Sequence, residues 1–206
     1  MNLTERHADR IEYAEDGSAS FTLRKPLVTK DGEVAFLALR RPDLDDILTQ
    51  DKLGGDHHDQ AGWLVSRLSG AKAADVEAVD GEDVMTLVAI VSGFFDRLAD
   101  GRKLYPESLM EHYAERIVRT DDDATLTLFR PLATKDGEKT EITLRRPTFK
   151  ETKINKAGNL SGAAKLIATL SGIGPLTLGK IDALDGLILG EIVDSFLGRY
   201  PGTGDQ

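Results

Sequence analysis

Residues 22–42 read TLRKPLVTKDGEVAFLALRRP, and residues 127–147 read TLFRPLATKDGEKTEITLRRP. Thirteen of the 21 positions are identical, without a gap, at a displacement of 105. Self-similarity of that length marks an internal repeat, so fold and function are to be asked of one unit present twice. The expected domains are residues 1–104 and 105–206. Each is about 100 residues long, enough to bury a modest core without disulfides or metals.

Outward from this stretch, the pattern is strand-like. Residues 11–14, 19–28 and 34–40 read as three strands, with turns at Glu15-Asp16-Gly17-Ser18 and Lys30-Asp31-Gly32-Glu33. Asp-Gly at the centre of the second turn suits a two-residue hairpin with Lys30 opposite Glu33. The second half shows which face of the third strand is buried: Phe36 and Ala38 become Glu141 and Thr143, while Leu37 and Leu39 become Ile142 and Leu144. Leu37, Leu39, Ile142 and Leu144 are therefore assigned to the core. Simple pairing would set Arg24 rather than Leu23 opposite Leu39. A bulge at Pro26 and Pro131 repairs that parity, because proline has no N–H to give a regular ladder.

After Pro42 the periodicity becomes helical. Pro42 suits a first helical turn, followed by Asp43, Asp45 and Asp46 at its positive end. The corresponding residues 148–156 are poorer helix formers. A second helix over 56–68 carries Ala61, Leu64, Val65 and Leu68 at helical spacing, with Ala163, Leu166, Ile167 and Leu170 as counterparts. Residues 73–79 make a short connector. A last helix over 81–98 carries Val84, Leu87, Val88, Val91 and Phe95, answered at a displacement of 105 by Leu189, Ile192, Val193, Phe196 and Tyr200. Residues 99–106 read as the linker and 107–116 as a helix leading into the second unit. The fold class is thus α+β: two tandem repeats, each a three-stranded antiparallel β-meander followed by three or four helices.

Bulk composition narrows the function classes. The chain has no cysteine, which excludes disulfides and thiolate metal sites. Net charge is −9; residues 1–105 carry 13 Lys and Arg against 20 Asp and Glu, and residues 106–206 carry 13 against 15. An acidic chain is a poor ligand for phosphates, so no nucleic acid is expected as a partner. The polar MNLTERHADR start is unlike a signal peptide, and the apolar runs fall short of the ~18 residues of a membrane span, so no membrane partner is expected.

Site chemistry is sparse. His57-His58-Asp59 lacks a matching ligand set and reads as a helix start; Asp121-Asp122-Asp123 falls where the first half has a turn. No activated nucleophile, phosphate loop or dinucleotide fingerprint is present, and the four histidines share no setting with a serine and a carboxylate. No catalytic, cofactor-binding or metal-binding residue is assigned, and the chain is not expected to be an enzyme. Candidate partner-contact residues are Trp63, Phe94, Phe95, Arg40 and Arg41. Each has a structural reading beside it: the arginines recur as Arg145 and Arg146 and suit local pairing, Phe94 and Phe95 suit the core, and Trp63 adjoins an apolar stripe but is replaced by Lys165.

The order of motifs resembles a known family. Thr22-Leu23-Arg24-Lys25-Pro26-Leu27, Asp31-Gly32, Leu39-Arg40-Arg41-Pro42, Leu68-Ser69-Gly70 and the helix from Asp80 to Phe95 together are similar to the tail assembly chaperones of Mu-like and related contractile-tailed phages. The resemblance covers nearly all of residues 18–98 and recurs more loosely over 125–198; two fused units depart from the usual single one. It implies a non-enzymatic protein of the host cytoplasm, absent from the mature virion, that binds the tape measure protein and helps recruit major tail tube subunits. The competing readings are a structural virion protein (tail tube, terminator or baseplate) and a general adaptor with paired α+β modules.

Overall fold

A computed structural model describes residues 3–30, 32–53, 57–97, 107–155 and 159–198. The first half holds helix α1 (Leu3–Arg6), strands β1 (Ile11–Tyr13), β2 (Ala19–Thr29) and β3 (Gly32–Leu39), then α2 (Leu44–Leu53), α3 (His57–Ser69), α4 (Ala73–Glu77) and α5 (Gly81–Gly93). The second holds α6 (Leu109–His112), β4 (Ile117–Arg119), β5 (Asp123–Thr134) and β6 (Gly137–Arg145), then α7 (Phe149–Thr152), α8 (Leu160–Ser171), α9 (Pro175–Leu178) and α10 (Ala183–Phe196). The fold is α+β, with two three-stranded antiparallel sheets, ordered β1-β2-β3 and β4-β5-β6, each followed by helices. No helix among the described residues is long and apolar enough to cross a membrane.

Two compact units result. Unit 1 is Met1–Pro42 with Thr49–Leu104; unit 2 is Tyr105–Gln206 with Asp43–Leu48. The first half of α2 thus belongs to unit 2. The expected linker at 99–106 lies outside the described residues.

In unit 1 the inward face of the sheet is Ala19, Phe21, Leu23, Leu27, Leu37 and Leu39, all at 6% exposure or less. In unit 2, Ala124, Leu126, Leu132, Ile142 and Leu144 play the same part. The inward assignment of Leu37, Leu39, Ile142 and Leu144 holds. So does the irregularity at the prolines: pairing slips between Thr22 and Leu27, and between Thr127 and Leu132. Leu23, Arg24, Lys25 and Pro26 together stand against Ala35 alone, and residues 128–131 stand against Thr140.

The hairpin register differs from the expected one. Thr29 pairs with Gly32 and Val28 with Glu33, so Lys30 does not face Glu33. Asp31 itself lies outside the described residues, but the second hairpin is complete. There Thr134 pairs with Gly137, which leaves Lys135 and Asp136 as the loop. Gly137 has φ +113° and opens the strand instead of filling the turn; Thr134 Oγ1 donates to its carbonyl at 2.7 Å.

The helices also shift in detail. The first begins at Leu44, with Pro42 ahead of it. Asp43 is the cap: its Oδ1 accepts from Asp46 N–H at 3.1 Å, and Asp46 Oδ2 accepts from Asp43 N–H at 2.9 Å. This reciprocal arrangement satisfies two N–H groups and starts the helix two residues after the proline. Residues 148–155 form only the short α7 and a 3-10 turn, Lys153–Asn155, behind a Thr148–Glu151 capping box. The last helices α5 and α10 start at the corresponding caps Asp80 and Asp182. Their displacement is therefore 102, not 105, and Phe94 answers to Phe196. Both are covered nearly all round: Asp83, Thr86, Leu87, Val88, Ala89, Ile90 and Val91 are buried on α5, while Val84 of the expected stripe is half-exposed.

Candidate partner-binding surface

The slip in β2 frees a backbone donor that the ladder cannot use, and a buried N–H needs an acceptor. Arg24 N–H donates to Asp83 Oδ2 at 2.6 Å. Asp83 sits in the first turn of α5 and is fully buried. Arg10, at the end of the turn before β1, donates from Nη2 to Asp83 Oδ1 at 2.7 Å and from Nε to the Thr22 carbonyl at 2.8 Å. Its guanidinium also lies 4.6 Å from the centre of the Phe21 ring. One carboxylate thus ties the turn, the slipped strand and the helix together, and its charge is compensated, as burial demands.

Unit 2 repeats the device. Arg116 Nη2 donates to Asp185 Oδ1 at 2.5 Å and to the Thr127 carbonyl at 2.6 Å; Phe129 N–H donates to Asp185 Oδ2 at 2.9 Å. The Arg116 guanidinium stacks 3.6 Å from the Phe129 ring centre. Burial pushes the Asp185 carboxyl up to about 6, against the opposing pull of Arg116. Sequence reading missed both pairs. Their signal was the recurrence of Arg10 as Arg116 and the Asp80-x-x-Asp83 spacing as Asp182-x-x-Asp185.

Beside the slip, unit 1 has a surface cleft lined by Lys25, Pro26, Leu27, Val28, Ala78, Val79 and Asp80. Val28 is 75% exposed. In the first turn of α5 Glu82 accepts from Arg24 Nη2 at 2.8 Å and meets His7 Nε2 at 3.2 Å; the bond to His7, then the neighbouring arginine charges, hold its carboxyl below the usual range.

The corresponding surface of unit 2 is covered by Asp43–Leu48. Leu44 N–H donates to the Ile181 carbonyl and Asp45 N–H to the Gly179 carbonyl, both at 2.9 Å. Lys180 Nζ lies 3.4 Å from Asp43 Oδ2, and Asp43 forms a β-bridge with Asp182. Leu44 is 1% exposed, and it fits because residue 186 is glycine: a Cβ there would stand 2.9 Å from Leu44 Cδ1. Under this cover Ile181, Asp182, Ala183 and Leu184 are buried. At the corresponding places in unit 1, Val79, Asp80 and Glu82 are half-exposed and Gly81 is exposed.

The residues singled out from sequence fall in different places. Phe94 and Phe95 are in the core of unit 1, with 4% and 9% exposure. Arg41 lies 5.4 Å from the Phe94 ring centre, as Arg146 does from Phe196. Arg40 Nη1 donates to the Arg41 carbonyl at 3.0 Å. Trp63 is half-exposed on α3, and its counterpart Lys165 is exposed. Arg145 makes a two-point contact with Glu151, whose carboxyl is lowered to about 2 by that arginine and by the Thr148 cap. Side chains of His57 and His58 lie outside the described residues; the aspartates 121–123 form a turn closed by Thr120 N–H to the Asp123 carbonyl at 3.0 Å. Among the described residues no group of three or more His, Asp or Glu is placed to hold a metal. The large exposed apolar side chains include Tyr13, Val28 and Phe36 in unit 1 and Val118, Phe149 and Leu176 in unit 2.

Comparison with known proteins gives one finding. Residues 125–198 match the family model described as phage tail assembly chaperone proteins, E, or 41 or 14. These residues run from β5 to just beyond α10, in the half whose motifs are the looser ones. No curated protein and no solved structure matches the chain.

Proposed function

We propose, from the match of residues 125–198 to phage tail assembly chaperones, that this chain is a non-enzymatic tail assembly chaperone that binds the tape measure protein and helps recruit tail tube subunits. The order of motifs over residues 18–98 extends the reading to the first half, making residues 1–104 and 105–206 two chaperone-like repeats of a tandem duplication, nearest the Mu-like group. Its place of action is the host cytoplasm, and it leaves before the virion matures.

The physical logic is that of a helix received by a groove. A tape measure protein is long and helical, with apolar stripes that must be covered reversibly before the tube closes around it. Apolar clefts with polar rims suit that task, and two linked units raise the effective concentration of the second contact, so each can be weak.

The test is a pull-down of the tagged chain from infected or induced cells, with mass spectrometry of purified particles. Recovery of the tape measure protein, with this chain missing from particles, supports the chaperone. Stoichiometric presence in particles replaces it with a structural virion part. Deleting either half without losing either binding activity would remove a division of labour between the repeats.

A further inference from the structure

In unit 2 a groove is filled by a segment of this chain, and in unit 1 the corresponding groove is a cleft. The segment has a counterpart too. Residues 148–153 lie 105 positions after Asp43–Leu48 and begin in the same way, with a reciprocal cap followed by an apolar first residue. Yet Leu44 is 1% exposed and Phe149, at the same place, is 81% exposed. Each half therefore lacks what the other displays.

We propose that the two meet between copies: the Phe149 segment of one molecule docks into the cleft of unit 1 in a second molecule, head to tail.

Two paired differences favour a second copy of this chain as the occupant. Where unit 2 has the ion pair Asp43–Lys180, the docked arrangement has Thr148 against Ala78, so both charges disappear together. Where Asp45 lies over Gly179, Lys150 comes over Glu77, and both are exposed. Opposite charges at a rim set register and exclude wrong partners. Where Leu44 sits against Gly186, unit 1 carries Val84, so the Phe149 ring seats beside that position, over Gly81, where nothing lies within 4 Å of a Cβ position. The inference stands apart from the chaperone reading, since it uses this chain's own surfaces alone.

Sedimentation of the full chain over a wide concentration range tests it. The wild-type mass rises with concentration. Phe149→Asp weakens association by about a hundredfold, the loss of a central anchor, while its thermal melt matches wild type. Lys150→Glu and Glu77→Lys each weaken it about tenfold, and the double exchange restores it. A wild-type chain that stays monomeric throughout overturns the proposal. So does association that Phe149→Asp leaves intact, or a double exchange no better than the singles.

Discussion

Arg10 and Asp83, 73 positions apart, are joined at 2.7 Å across the slip in β2. The contact gives the irregular strand its hydrogen-bond acceptor, so the slip and the ion pair need each other. Asp83→Ala leaves Arg10 and the Arg24 N–H without that carboxylate, and removing one member of a buried pair costs about 3–5 kcal/mol. Urea unfolding is expected to show that loss for Asp83→Ala and a similar one for Arg10→Ala. The double variant falls well short of their sum, because the two act as one unit.

Asp185 carries a pH signature. Its folded carboxyl titrates near 6, against 3.8 for the ordinary group. The native state therefore holds the proton more tightly than the unfolded chain, and this group's contribution is full below pH 4 and lost as pH rises through 6. The difference amounts to on the order of 3 kcal/mol. In the Asp185→Asn variant, stability between pH 4 and 7 changes less steeply in that direction than in wild type. Parallel curves would refute the shift.

Leu44 and Phe149 occupy corresponding places and predict opposite outcomes. Leu44→Ala opens a cavity in unit 2 and costs about 2–5 kcal/mol. Phe149→Ala, at an exposed site, stays within about 0.5 kcal/mol when measured at low concentration. Chemical denaturation of both at one protein concentration decides it.

Gly186→Val installs in unit 2 the residue that unit 1 has at position 84. Its Cβ would come within 2.9 Å of Leu44 Cδ1. The expected result is displacement of the first turn of α2 from the Ile181 carbonyl, seen as faster amide exchange at Leu44 and Asp45. Unchanged protection would show that Leu44 can turn aside without releasing the segment.

Much of the sheet was legible because its signals are local. Pro26 and Pro131 announced the slip through a missing N–H, and the contrast of Phe36 with Glu141 marked the outward face. The hairpin register was misread because Asp-Gly fits two registers, and the threonine that closes the turn, Thr134, looks like an ordinary strand residue. Pairs such as Arg116 and Asp185 stayed hidden because sequence shows recurrence at each position but not which recurring residues meet. Nor could periodicity reveal that the first turn of α2 belongs to unit 2, since its apolar residues suit a core in either.

The ion pair of Asp43 with Lys180 spans 137 positions. During synthesis Leu44 leaves the ribosome long before Ile181 exists, so the residue stays uncovered while the rest of its own half can already fold. Unit 2 is completed last, by a stretch made early, and closure over such a separation is slow compared with local hairpin formation. A nascent or truncated chain ending before Gly179 would thus display Leu44 to solvent, and a fragment starting at residue 105 would display Ile181 and Leu184 instead. Mixing the two fragments should rebuild unit 2 in trans.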